Sequence, residues 1–346
     1  MNNAAWSKPK CVLVTGGTGF IGSYVCRLLG QQRQTALACG IEPFSPEAIF
    51  MLGEAAAATR FVHGDVRDLA ALEAICKAHA PDAIIHAAGL VGHDTSLADP
   101  LKTYAVNVGG TVKVFEAARR SGIAKVLLIS SNAAYHKQER DVFDESHPTT
   151  SIFSGNPNAH YGASKMAAEQ VALAYHTFHG IDAVVIRVTS VYGFGMKPGQ
   201  MQLKQIVEGA ANGEKVVVAS GGHVVRDYTY VEDSAAGIVE ILNFDTRSLA
   251  QRVYNIARGE LTSTFDIADS ARRAFPNASI EVGAAMTKFE RATLAQRAPL
   301  ASAAAEQAFG YKSRYPLRDG IRKYGEIYAK FIRQARGNAY GAAGKK

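Results

Sequence analysis

Tyr161 and Lys165, in the run Tyr161-Gly162-Ala163-Ser164-Lys165, are a phenol and an ammonium four residues apart. That spacing puts both side chains on one face of a helix. An ammonium beside a phenol stabilises the phenolate, so the tyrosine can exchange a proton near neutral pH. Far upstream, Thr15-Gly16-Gly17-Thr18-Gly19-Phe20-Ile21-Gly22 follows a short apolar run and opens a helical pattern. In that setting Gly16 permits a tight turn, Gly19 lets backbone approach a pyrophosphate, and Gly22 lets helix pack on strand. The helix start, with Phe20 and Ile21, turns unpaired N–H groups toward the phosphates. A proton-transfer group beside a nicotinamide is the minimum equipment for oxidising an alcohol or reducing a ketone.

Other runs fit around this pair. Asp65 and Val66, in Gly64-Asp65-Val66-Arg67-Asp68, are placed to meet an adenine ring, with a helix N-cap by Asp65 or Asp68 as the alternative. His86-Ala87-Ala88-Gly89 closes a strand pattern, and its small residues let the chain pass close to a cofactor. His86 reads as a packed histidine rather than a catalytic one. Ser130-Ser131-Asn132-Ala133-Ala134-Tyr135 ends another strand, whose C-terminus points into the ligand crevice of such a sheet. Ser131 is chosen to hold a substrate hydroxyl or carbonyl against Tyr161, with Ser130 as backbone support. The acidic residue that normally receives the adenosine ribose is missing near Gly40, and Glu42 stands two residues on. No Lys or Arg occurs from Ala36 to Thr59, although Arg33 and Arg60 flank that stretch, so NAD is expected over NADP.

These residues need a scaffold that alternates strands and helices. Strands are expected at 11–15, 35–39, 60–63, 83–86, 125–130 and 183–187, with helices at 21–31, 68–78, 104–121 and 161–178. Continuous apolar strands alternating with helices predict a Rossmann-type doubly wound parallel sheet, an α/β fold. The rhythm breaks near Val191. Helices at 202–212, 264–275 and 318–333 and strands at 215–218 and 253–256 predict a smaller α/β C-terminal lobe. The domain reading is a disordered start over 1–9, a dinucleotide-binding domain over 10–190 with returns from later segments, a mainly substrate-binding lobe over 191–336, and a disordered tail over 337–346.

Composition sets outer limits. The chain has 346 residues and a formal charge of +7. Its cations are scattered without a basic-aromatic stripe, which speaks against nucleic acid. No apolar run is long enough to span a bilayer, and no secretory signal is visible. Four cysteines without metal or redox spacing suit a reducing compartment, hence the cytoplasm, and no metal site is expected.

The order of these motifs, with Asn107-Val108-Gly109-Gly110-Thr111 and Arg226-Asp227-Tyr228-Thr229-Tyr230-Val231-Glu232-Asp233, resembles the extended short-chain dehydrogenase/reductases. Within them it is similar to the NAD-dependent epimerase/dehydratase group acting on nucleotide sugars, from about residue 11 to 333. The resemblance implies Tyr161 as acid/base, Lys165 on the nicotinamide ribose and lowering the Tyr161 pKa, and Ser131 on the reacting oxygen. It implies Asn107 as helix support near the site, Arg226 on the substrate diphosphate, and a homodimer built on helices near 104–121 and 161–178. A salt bridge from Arg226 to Asp227 or Asp233 is the structural alternative.

Three departures stand out. Asn132 and Ala133 replace the Asp-Glu pair of dehydratases, His136 replaces a glycine, and Arg297 matches a second phosphate-binding arginine only loosely. The leading expectation is an epimerase of a nucleotide sugar working through a keto intermediate, with Asn132 near the substrate. An NAD(P)-dependent dehydrogenase or reductase of a non-nucleotide alcohol or ketone is the second. A non-catalytic dinucleotide-sensing protein is the third, disfavoured because Tyr161 and Lys165 are both present.

Overall fold

The computed structural model describes residues 7–135, 141–149, 159–197, 201–294 and 297–343. His136, with most of the stretch 136–158 and residues 198–200, lies outside the described residues.

Six strands, β1 (Cys11–Thr15), β2 (Thr35–Gly40), β3 (Thr59–His63), β4 (Ala83–His86), β5 (Lys125–Ser131) and β6 (Asp182–Val188), are joined by a seventh, Val253–Ile256. The sheet order is Val253–Ile256, β6, β5, β4, β1, β2, β3. Every pairing in it is parallel. This is the doubly wound fold expected from the alternating pattern. β5 and β6 are buried at all seven positions each, which is why they read as continuous apolar runs with few polar interruptions. Helices cover both faces, and apolar side chains pack into two separate layers, one on each side of the sheet. The strand order reverses between β1 and β4, and ligands of such sheets sit in the crevice outside the carboxyl ends at that point.

The chain beyond β6 returns to the main sheet at Val253–Ile256 and otherwise builds two small sheets. In one, Val225–Tyr230 lies parallel to Ser190–Tyr192 and antiparallel to Leu261–Ser263. In the other, Val216–Val218 pairs with Ile280–Val282. Strand Val225–Tyr230 and helix Val231–Leu242 carry the run that sequence reading singled out only as a motif. That helix is buried along most of its length and packs on helix Phe20–Gln31, so its pattern lacks the polar stripe that marks a surface helix.

Two boundaries differ from expectation. The helix expected at 104–121 is three pieces: Pro100–Tyr104, a π-helical turn Ala105–Gly109, and Gly110–Arg120. The wider turn inserts one residue and re-aims Asn107, which sequence periodicity does not register. The final helix, expected at 318–333, runs Leu317–Ala343, past the point at 337 where a disordered tail is expected. Among the described residues, no helix is long and apolar enough to cross a membrane.

The glycine turn holds helix Phe20–Gln31 hard against β1. A Cβ on Gly22 would stand 2.2 Å from the Gly16 carbonyl oxygen, a backbone atom with nowhere to move. Gly22→Ala is therefore expected to cost about 1–3 kcal/mol by overpacking, read from urea unfolding. An unchanged midpoint would contradict the close approach.

Candidate active site

The crevice between β1 and β4 is lined by backbone. Gly16 has φ +71°, and a Cβ there would sit 2.7 Å from the Ala88 nitrogen. Its N–H donates to the Cys39 carbonyl at 2.8 Å, and Gly19 N–H donates back to the Gly16 carbonyl at 3.0 Å. Gly19 caps helix Phe20–Gln31 without a side-chain acceptor, and no acidic residue occupies the first turn. The N–H groups at Phe20, Ile21 and Gly22 therefore end on the crevice without a carboxylate to compete with an anion. Ala87, Ala88 and Gly89 form the opposing wall, with Ala87 N–H donating to the Thr15 carbonyl at 3.0 Å. A cradle that any Cβ would fill, opening on an uncapped helix start, fits the pyrophosphate of a dinucleotide.

The adenosine end differs from expectation in detail. Asp68, not Asp65, caps the next helix, accepting from Ala71 N–H at 3.1 Å. Asp65 is engaged by Arg67, whose Nη2 lies 2.6 Å from its carboxylate and whose backbone N–H donates at 2.8 Å. The Arg67 hydrogen bond holds the Asp65 carboxyl below the usual carboxylate range. Val66 is buried under Gly110. β2 ends at Gly40, where a Cβ would meet the Thr18 hydroxyl at 2.4 Å, and Glu42 is exposed. A side chain at that position would require the Thr18 hydroxyl to move.

Helix Ala159–His179 brings Tyr161 and Lys165 to the end of β5. Lys165 is buried and its Nζ donates to the Ile129 carbonyl at 2.9 Å. Burial pushes its ammonium down to about 8, opposed by the charge of Glu169. Tyr161 hydrogen-bonds with Ser131, yet burial leaves its phenol above the ordinary value. In this structure the Lys165 ammonium is turned to a backbone carbonyl, and the contact that opposes desolvation of the phenol is the one with Ser131. Ser131 also accepts from Ala133 N–H at 3.1 Å and donates to the Asn132 side-chain oxygen at 3.3 Å.

Ser130 does more than support the backbone. Alternation along β5 turns it away from Ser131, and its hydroxyl donates to Glu169. Glu169 in turn receives Arg187 Nη2 at 2.6 Å and Nε at 3.0 Å. The two side chains are 2 % and 6 % exposed. Arg187 also stacks 4.5 Å over the Tyr135 ring, whose hydroxyl donates to Asn255 at 2.7 Å. Sequence reading missed Glu169, although its spacing from Lys165 repeats that of Lys165 from Tyr161 and puts all three on one helix face.

Asn107 ties the walls together. Its amide accepts from Leu90 N–H at 2.8 Å and donates to the Leu90 carbonyl at 3.0 Å and to Ser164 at 2.9 Å. His86 is a packed histidine, as expected. Thr111 spends its hydroxyl proton on the Asn107 carbonyl at 2.6 Å, so it accepts from His86 Nε2–H at 3.1 Å. Nδ1 then accepts from Thr15 at 2.7 Å. Burial pushes this imidazole down to about 3, with the Lys165 charge adding to the effect, so it is neutral.

Arg297 reaches the strand that carries Arg226. Arg297 Nη1 donates to the Val225 carbonyl at 2.7 Å. Burial brings its guanidinium down to about 10, and Arg226 adds to that shift. Neither carboxylate offered as an alternative partner for Arg226 is used that way. Asp227 accepts from Gly259 and Leu300, and Asp233 from Ser313, Arg314 and Tyr315. Among the described residues, no group of three His, Cys, Asp or Glu could hold a metal ion.

The chain matches the family described as NAD dependent epimerase/dehydratase over residues 12–257. It is 31% identical over 262 residues to a dTDP-glucose 4,6-dehydratase of Streptomyces griseus, covering 74% of this chain and 76% of that one. It is 28% identical over 262 residues to a putative UDP-glucose 4-epimerase of Methanocaldococcus jannaschii, covering 75% and 80%. Among solved structures, the UDP-glucose 4-epimerase of Thermotoga maritima with UDP-glucose superposes with a TM-score of 0.79 at 21% identity, over 93% of this chain and 99% of that one. The UDP-glucose 4-epimerase of Thermus thermophilus in complex with NAD gives 0.77 at 24% identity, over 92% and 98%.

The Glu169–Arg187 pair joins the helix carrying Tyr161 to β5 and β6. Glu169→Gln leaves a buried guanidinium uncompensated and is expected to cost about 3–5 kcal/mol in chemical denaturation. The double variant Glu169→Gln/Arg187→Met should recover much of that loss. Equal losses in the two would mean that burial of the charge is not what the pair controls.

Proposed function

This chain belongs to the NAD dependent epimerase/dehydratase family, and on that premise we propose that it is an epimerase of a nucleotide sugar, working through a transient keto sugar with Tyr161 as acid and base. The observation that carries this reading is the convergence of Ser131, Tyr161 and Lys165 at the end of β5, with a carboxamide, Asn132, as the next side chain. Gly16, Gly19, Phe20, Ile21 and Gly22 would hold the pyrophosphate of NAD, Asp65 and Val66 the adenine end, and Ala87, Ala88, Gly89, Tyr161 and Lys165 the nicotinamide end. When bound, NAD supplies reversible hydride uptake.

Ser131 holds the sugar hydroxyl, and Tyr161 takes its proton as that carbon is oxidised. The same tyrosine returns the proton after the keto sugar has presented its other face. Lys165, charged and buried, favours the phenolate once the substrate displaces water. Arg226 and Arg297 clamp the diphosphate and leave the sugar free to turn. Elimination of water needs a titratable acid beside the sugar, and the Asn132 carboxamide has none. That difference favours epimerisation here over the dehydration named for the Streptomyces relative.

We also propose a homodimer contact on the helices near 104–121 and 161–178, extended by the short helices His93–Ala98 and Pro100–Tyr104. Leu101 is 83% exposed and Phe178 78%, and Leu97, Tyr104 and Val112 are open on the same helices. Tyr104 and His160 rings meet at 5.6 Å, joining the short helix Pro100–Tyr104 to the start of helix Ala159–His179. The cytoplasm is inferred from the cysteine pattern. Cys26 and Cys39 are buried thiols, each pushed up to about 12 by desolvation, and so are inert.

Mass spectrometry of small molecules released on denaturation is expected to show retained NAD. Tyr161→Phe should lower conversion of a nucleotide sugar by about 10²–10⁴-fold with NAD still retained. Undiminished turnover would remove Tyr161 from the chemistry, and a dehydrated keto sugar as product would replace epimerase with dehydratase. Leu101→Glu should shift the sedimentation coefficient to that of a monomer; a wild-type chain that already sediments as a monomer refutes the dimer.

A further inference from the structure

Arg226 and Arg297 repel one another, so the fold must hold them together before an anion arrives. Arg226 lies on strand Val225–Tyr230, and Arg297 on the segment that follows helix Lys288–Leu294. Successive side chains of a strand point to opposite faces, so Asp227 turns away from Arg226. There its Oδ2 accepts two backbone N–H groups, Leu300 at 3.0 Å and Gly259 at 3.2 Å. Leu300 stands three residues after Arg297. Gly259, with φ +82°, belongs to the turn leading into Leu261–Ser263, the strand that pairs Thr262 with Arg226. One carboxylate thus binds the strand carrying the first arginine, the turn feeding its partner strand, and the segment carrying the second.

We propose that Asp227 is a positioning residue that keeps Arg226 and Arg297 in register to receive the diphosphate of the substrate, a role that rests on the nucleotide-sugar reading above. Asp227 is 4 % exposed, and its Oδ1 accepts no hydrogen bond among the described residues. A buried carboxylate with a spare oxygen is costly where packing alone is needed, and an apolar side chain would fill the space at less expense. Its use here is strength of grip, because hydrogen bonds to an ionised acceptor are roughly twice as strong as neutral ones. Burial pushes the carboxyl up to about 6, which leaves it ionised at neutral pH. Phe143 holds the same segment independently, its N–H donating to the Pro299 carbonyl at 2.9 Å and its carbonyl accepting from Ala301 N–H at 3.0 Å. Loss of Asp227 therefore loosens Arg297 without releasing the segment.

The test is calorimetric binding of UDP and of NAD to the full chain. Asp227→Val is expected to weaken UDP by about tenfold or more and to leave NAD affinity within about twofold. Asp227→Asn, which keeps an oxygen acceptor but not its charge, should recover part of the UDP affinity. With a turned-over nucleotide sugar, the Val variant should raise KM while kcat changes little, the mark of lost uniform binding. Equal UDP affinity in wild type and Asp227→Val overturns the role of Asp227 alone. A wild-type chain that fails to bind UDP removes the diphosphate clamp itself, and this role with it. Should the Val variant not fold, hydrogen exchange on the wild type decides: UDP is expected to slow the Gly259 and Leu300 amides together, and no response at either overturns the proposal.

Discussion

The buried ion pair between Glu169 and Arg187 is the joint on which the candidate active site rests. Taking both charges out of water is costly, and only tight geometry and further hydrogen bonds offset that cost. The structure supplies both: a two-nitrogen contact from Arg187, the Ser130 hydroxyl, and the Tyr135 ring beneath the guanidinium. Through those contacts the helix bearing Tyr161 and Lys165 is fixed to β5, which bears Ser131, and to β6. Sliding the helix along the sheet would break the pair, so the relative placement of phenol, ammonium and hydroxyl is set by an interaction that touches none of them directly.

A second set of contacts sets the height of the site above the sheet. Asn107 can reach Leu90 and Ser164 at once because a π-helical turn displaces it from the ordinary helical ladder. Below it, Thr111, His86 and Thr15 form a chain of hydrogen bonds running from that turn to the end of β1. A neutral histidine suits this position, since a charged one would lie close to the Lys165 ammonium. The glycine-lined crevice and the helix that carries Tyr161 and Lys165 are thereby parts of one hydrogen-bonded frame.

The second half of the chain contributes charge rather than chemistry. It brings Arg297 to the strand that carries Arg226, and does so through strands and turns instead of one helix. The same half returns Val253–Ile256 to the main sheet, where it pairs with β6.

The sequence by itself determined the doubly wound sheet, because strand and helix periodicities and the glycine turn are local properties of neighbouring residues. It also determined that Tyr161 and Lys165 share a helix face, since four-residue spacing alone decides that. Ser131 was legible from its place at a strand end. The missing acid at Gly40 was legible as an absence, whereas the close approach of the Thr18 hydroxyl to that position was not. Only the tertiary structure could decide what depends on partners far along the chain. Glu169 meets Arg187 and Ser130, Asp65 pairs with Arg67 and leaves the helix cap to Asp68, and Arg297 reaches the strand that carries Arg226. The state of the Tyr161 phenol belongs to the same class, because desolvation depends on everything that packs around the ring, and no spacing along the chain encodes that.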